Sequence, residues 1–142
     1  MSGPSLRKLD AHRAIHDGSY AEAKNLTDIL YKLVEEKRNK EAAEVADALV
    51  EHWELRVITH ADSEEQGLYK DVVANEPEML ETIAMLTRDH DLIRIIAERV
   101  RGILKEDGVT PEVLQCFTGM LIVNEIHSRD EERLLLDHDH HH

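Results

Sequence analysis

The chain has one cysteine, Cys116, in 142 residues, so no internal disulfide can staple it. A lone thiol fits a reducing, cytoplasmic setting. Residues that break helices are scarce. There are 6 glycines and 3 prolines against 33% charged residues, a balance that points to helices rather than a strand-rich fold. Positive charge is also short. The 17 Lys and Arg face 30 Asp and Glu, for a formal net charge of −13. That excess excludes nucleic-acid and anionic-membrane binding as expected roles, since both need clustered Lys and Arg. Long apolar runs are missing: a membrane span needs about 20 apolar residues, and none of that length occurs. Residues 1–10 contain no apolar signal-peptide core, so no secretory leader is expected. No internal repeat and no Gly-rich phosphate loop is present.

Histidine is abundant, with ten in the chain. Four of them fall in the ending Asp137-His138-Asp139-His140-His141-His142, which reads as a His-rich tail of the purification-tag kind. Residues 1–136 are long enough for one domain with a buried core. The body histidines are His12, His16, His52, His60, His90 and His127.

Three breaks divide the body. Lys37-Arg38-Asn39-Lys40 is polar, and Asn39 is suited to cap the next helix. Asn75-Glu76-Pro77 places a proline for a first helical turn. Between Glu106 and Pro111, Gly108 can end one helix, and Thr110 with Pro111 can start another. Each of the four segments carries a seam at three- and four-residue steps. The third is the cleanest: Met79, Ile83, Leu86, His90, Ile93, Ala97, Val100, Leu104. Such spacing keeps one stripe on one helix face. Short connections make neighbours antiparallel, so the expected fold is all-α, an up-down-up-down four-helix bundle. Asp17-Gly18-Ser19 is a candidate kink in the first helix, because Ser19 and Glu22 have capping-box spacing.

The seams are interrupted by the same residue types. Midpoints of His12/His60, His60/His90 and His90/His127 fall beside the first break, in the second and in the third. Folded at those breaks, four histidines, one per helix, share one height. Glu64 and Glu131 lie one turn away, at i+4 from His60 and His127, and level with each other. Two ionised carboxylates taken out of water cost several kcal/mol each if unpaired, and they repel one another. A pair of cations removes both problems, with the histidines as terminal ligands and each carboxylate able to bridge. His16, one turn after His12, points inward and is a candidate fifth histidine. His52 reads as structural or surface, Glu65 and Glu132 as solvated, and Cys116 as a buried, inert seam residue. Trp53, Val57, Leu86, Ile93, Met120 and Val123 are expected as apolar core around the site. Arg56 and Arg94 are expected at a solvated bundle edge, as partners of acids such as Glu98 or Glu54, or at an entrance.

At His12-Arg13-Ala14-Ile15, His60-Ala61-Asp62-Ser63-Glu64-Glu65, His90-Asp91-Leu92-Ile93 and His127-Ser128-Arg129-Asp130-Glu131-Glu132, the sequence resembles the hemerythrin-like (HHE cation-binding) family. The resemblance covers nearly the whole chain before the tail. It implies a four-helix bundle with a non-haem di-iron centre of two Fe ions joined by oxo or hydroxo bridges, with Mn or Zn as substitutes. His12, His60, His90 and His127 would be terminal ligands, and Glu64 and Glu131 bridging carboxylates. The oxygen-carrying members place a second histidine where this chain has Arg94. They also place an Asp one residue later on the fourth helix, where Glu132 follows Glu131 here. With two His-x3-Glu motifs, the chain looks more like the branch that includes iron-sensing and iron-centre-repair proteins. The expected role is binding of O2 or NO for sensing, storage or scavenging, by a monomer or weak homo-oligomer. The alternative is a di-iron enzyme that reduces peroxide or NO or handles iron as a ferroxidase or repair protein.

Overall fold

The computed structural model describes residues 3–136, with side chains described over 9–136; the tail read over 137–142 lies outside the described residues. Every regular element in it is helical, and the elements form four rods. Helix α1 spans Gly3–Glu35. The second rod runs through α2 (Asn39–His52), a π-helical turn (Trp53–Ile58) and α3 (Thr59–Gln66), then bends at Gly67 into α4 (Leu68–Asn75). After a 3-10 turn over Pro77–Met79 comes α5 (Leu80–Glu106). Helix α6 (Pro111–Glu131) passes into a second π-helical turn, Glu132–Leu136.

The rod ends reflect local chemistry. Lys37, at φ 59°, takes the left-handed conformation after α1. The N–H groups of Lys37 and Arg38 then return to the carbonyls of Val34 and Leu33, which satisfies the open end of the helix. Gly108, at φ 75°, closes α5. Thr110 Oγ1 accepts from the Val113 N–H at 3.3 Å, with Pro111 in the first turn of α6. Two expectations need correction. Asn39 is the first residue of α2 rather than its cap, which is Arg38. Asp17-Gly18-Ser19 neither kinks nor restarts α1: the helix runs through it, and Gly18 faces open space.

Helix α1 packs against α2 and α6, and α5 packs against α2 and α6. Tyr31, near the end of α1, bonds the Leu114 carbonyl and Thr118 near the start of α6. His16, near the other end, meets Glu132. Two apolar clusters fill the interior. One contains Leu30, Leu49, Trp53, Ile93, Phe117 and Met120; the other contains Leu9, Tyr69, Ile83, Leu86, Leu135 and Leu136. Each large side chain buried this way contributes about 1.5–3 kcal/mol. Along every rod the histidines and glutamates of interest fall between residues of these two clusters, so a polar layer separates two dry ones. No helix among the described residues is long and apolar enough to cross a membrane.

Candidate metal centre

The polar layer collects all seven residues singled out above. Two groups could each hold a metal ion: His12, His16, His60 and Glu64, and Glu64, His90, His127 and Glu131. Glu64 belongs to both. Its Oε2 lies 3.5 Å from His60 Nε2 and 3.9 Å from His12 Nδ1, and its Oε1 lies 3.4 Å from His90 Nε2. Glu131 is split in the same way. Its Oε1 lies 3.2 Å from His16 Nε2 and 3.9 Å from His12 Nδ1, while its Oε2 lies 3.4 Å from His127 Nε2. Each carboxylate therefore turns one oxygen toward a three-histidine group and the other toward a two-histidine group. The four seam histidines, expected at one height, do meet across the rods. His12 and His60 ring centroids are 6.0 Å apart, and the Nε2 atoms of His90 and His127 are 3.0 Å apart.

These separations can be compared with what an ion requires. Donors about 2.1 Å from a shared cation stand roughly 3.0–3.4 Å from one another in octahedral or tetrahedral arrangements. Most of the distances above fall there or slightly outside. The His90–His127 approach is also a hydrogen bond when one ring carries the proton. A sharper sign is the set of buried side-chain atoms that meet no hydrogen-bond partner among the described residues. His12 Nδ1, His60 Nε2, Glu64 Oε2 and Glu131 Oε1 are four of the six, and all four point into this layer. Buried polar groups are rarely left so, and a cation is the ligand that imidazole and carboxylate lone pairs share. The residues present fit a pair of metal ions.

Around this set stands a second ring of acids. The Nδ1 atoms of His16, His90 and His127 pair with Glu132 at 2.9 Å, Glu65 at 2.7 Å and Asp89 at 2.9 Å. Each ring thereby turns Nδ1 to an outer acid and Nε2 inward, so that loss of the inner proton leaves a lone pair aimed at the layer, the arrangement that orients metal-binding histidines. The acids are anchored in turn. Arg13 and Arg129 reach Glu132, and Arg94 reaches Glu65 at 2.8 Å, Asp62 at 2.6 Å and Asp91 at 2.9 Å. This corrects the expectation that Glu65 and Glu132 are solvated. Glu132 follows buried Ser128 by one helical turn, so both Glu131 and Glu132 face inward. Arg94 serves these acids rather than Glu98 or Glu54, and Glu54 pairs with Arg101 instead. His52 stays outside the centre, tied to the Ser19 carbonyl and to Glu22. Cys116 is only half-buried, and Phe117 takes the core position beside it.

The electrostatics stem from burial and these partners. Burial opposes protonation of His127, but its bonds to Asp89 and Glu131 prevail and hold its pKa up to about 9. His16 is raised for the same reason: burial opposes the charge, and Glu131 and Glu132 overcome it. His60 is raised chiefly by Glu64. His12 is lowered, because burial outweighs Glu131 and Glu64. Glu131 is lowered despite its burial, because His127 and His16 hold it ionised. Tyr69, which the sequence pattern does not mark, donates its hydroxyl to Glu131 Oε2, and burial with that charge raises its pKa far above the usual phenol value.

A cavity of about 30 Å3 opens beside the layer, lined among others by His16, His60, His90, His127, Ile93 and Asn124. Arg56 stands on its rim. The second ring gives a direct test. Glu132→Ala frees the Nδ1 of His16, and metal affinity is expected to fall about 10–100-fold with the bundle intact. Titration of the metal-free protein with Co(II), alongside circular dichroism, measures both.

The chain matches no family model, no curated protein and no solved structure in the comparisons made with known proteins.

Proposed function

We propose that the chain is a hemerythrin-like, di-iron protein that binds O2 or NO inside an up-down-up-down bundle, with Mn or Zn able to replace iron. The single observation that carries this reading is the paired set of buried, inward-facing nitrogen and oxygen atoms in the polar layer, with each of two carboxylates divided between two histidine groups. His12, His16 and His60 would hold one ion, His90 and His127 the other, and Glu64 and Glu131 would bridge. Alternating rod directions are supported by cross-rod pairs such as Tyr31–Leu114 and His16–Glu132, and Glu54–Arg101 and Glu65–His90.

When bound, a reduced iron pair supplies electrons and an open coordination position. The protein supplies the rest. Its second ring of acids holds Nδ1 of His16, His90 and His127 and so keeps each Nε2 aimed inward. Val57 and Ile93 line the cavity and limit water beside the ions. The size of that cavity favours a diatomic ligand. A space of about 30 Å3 beside the layer has room for water-sized molecules, which supports a small ligand.

The test begins with a protein lacking residues 137–142, whose histidines would bind metal by themselves. Mass spectrometry of metals is expected to find about two iron ions per chain, as in other two-metal bundle sites; a chain purified with almost no transition metal overturns the reading. Stopped-flow mixing of the reduced protein with O2 and NO is expected to give a stable, reversible adduct. Repeated turnover of NO or peroxide would instead assign it to the enzymes.

A further inference from the structure

Tyr69 enters the polar layer from an unforeseen direction. The rod carrying His60 and Glu64 breaks at Gly67, where φ −115° and ψ −89° interrupt the helix, and α4 resumes at an angle. A side chain at Gly67 would press on the Ser63 carbonyl, 3.3 Å from where its Cβ would stand. The bend brings Tyr69, only 2% exposed, into the second apolar cluster. Its ring stacks on His90 with centroids 5.5 Å apart and planes 3° from parallel. Its hydroxyl donates to Glu131 Oε2, the oxygen that faces His127 rather than the one that faces His12 and His16. Both contacts therefore fall on the half of the centre with fewer nitrogen donors.

We propose that Tyr69 is a positioning residue for the two-histidine half of the centre, fixing the plane of His90 and the inner oxygen of Glu131 so that the two ions are held unequally. This inference rests on the two-metal reading above. The physical basis is simple. An O–H donor on one carboxylate oxygen fixes where that oxygen points, and a flat stack removes rotation of the imidazole about its Cβ–Cγ bond. Neither contact touches a histidine of the three-histidine group, so removing the hydroxyl weakens the two-histidine half more than the other.

The experiment titrates metal-free parent protein and Tyr69→Phe with Co(II), tracking the visible bands and the heat of binding. Phenylalanine keeps the ring, its stack and nearly all its volume, and circular dichroism melting of the metal-free forms checks that the fold is kept. The parent is expected to take up two ions in two distinguishable steps. In Tyr69→Phe the weaker step is expected to lose about 10–100-fold in affinity and the tighter step much less. Equal behaviour of the two proteins, or equal loss at both steps, overturns the inference alone. A parent that binds fewer than two ions overturns the two-metal reading and this inference with it.

Discussion

Glu64→Gln is expected to halve the metal content while leaving the metal-free bundle folded. Glu64 is the one residue common to both candidate groups, and its two oxygens face different histidines. An amide has nearly the same shape but only one oxygen and no charge, so it cannot serve two ions. Loss of the carboxylate removes a bridge and leaves the second ion short of a donor. Stability of the metal-free form should move the other way or not at all. A buried carboxylate costs several kcal/mol that its partners recover only in part, and Glu64 Oε2 meets no hydrogen-bond partner among the described residues. The melting temperature of the metal-free variant is therefore expected to equal or exceed that of the parent at pH 8. Metal analysis and circular dichroism check the two halves of the prediction. A variant that keeps both ions with unchanged affinity removes Glu64 from the bridging role.

The second large effect is thermal. Free metal at a thousand times its dissociation constant stabilises a fold by about 4 kcal/mol. For a domain near this size that corresponds to a rise on the order of 10 °C in melting temperature. The rise is expected to grow between pH 6.5 and pH 9. In the metal-free protein, His16, His60 and His127 bind protons more tightly folded than unfolded. Their stabilisation is thus fully present below the unfolded value of 6.5 and is lost as pH climbs through the folded values, about 9 for His127. His12, lowered by burial, acts in the opposite sense and offsets part of this. Glu131, whose folded pKa is depressed, gives stability that is present above its unfolded value of 4.5 and lost in acid. The metal-free bundle is accordingly most stable near pH 5–6. Ions compete with protons for the same imidazole nitrogens, so their affinity increases with pH. Calorimetric scans with and without metal at several pH values measure the gap, and a gap that narrows toward pH 9 contradicts the assignment.

Much of this is legible in the sequence, because it depends on periodicity and on where loops fall. Gly108 and Thr110-Pro111 mark their turn by residue type alone, and the seam spacing places His60, Glu64, His90, His127 and Glu131 on inward faces. His16 is marked by its one-turn step from His12, and its burial at 8% exposure settles which way it faces. The hidden part comes from features that the seam spacing does not carry. Glu132 stands beside the seam on a wider buried stripe that holds Ser128 one turn before it. Tyr69 lies beyond the Gly67 bend, where the seam of the second segment no longer applies. Glu65 and Asp89 meet histidines of other rods, His90 and His127, and pairings between rods leave no mark on either helix's own pattern.

The wide turns at Trp53–Ile58 and Glu132–Leu136 sit immediately before the first histidine of the second rod's pair and immediately after the glutamate of the fourth's. A π-helical turn amounts to a residue inserted without a loop. Deleting one residue from Trp53–Ile58 would let that rod return to ordinary winding with His60 and Glu64 still facing inward, whereas the same deletion in ordinary helix swings everything downstream by about 100° around the axis. Length changes at the surface connections and in the wide turns should be absorbed locally, whereas a single-residue deletion in the α-helical stretch between His60 and Glu64 would unload the centre even though no ligand had been altered.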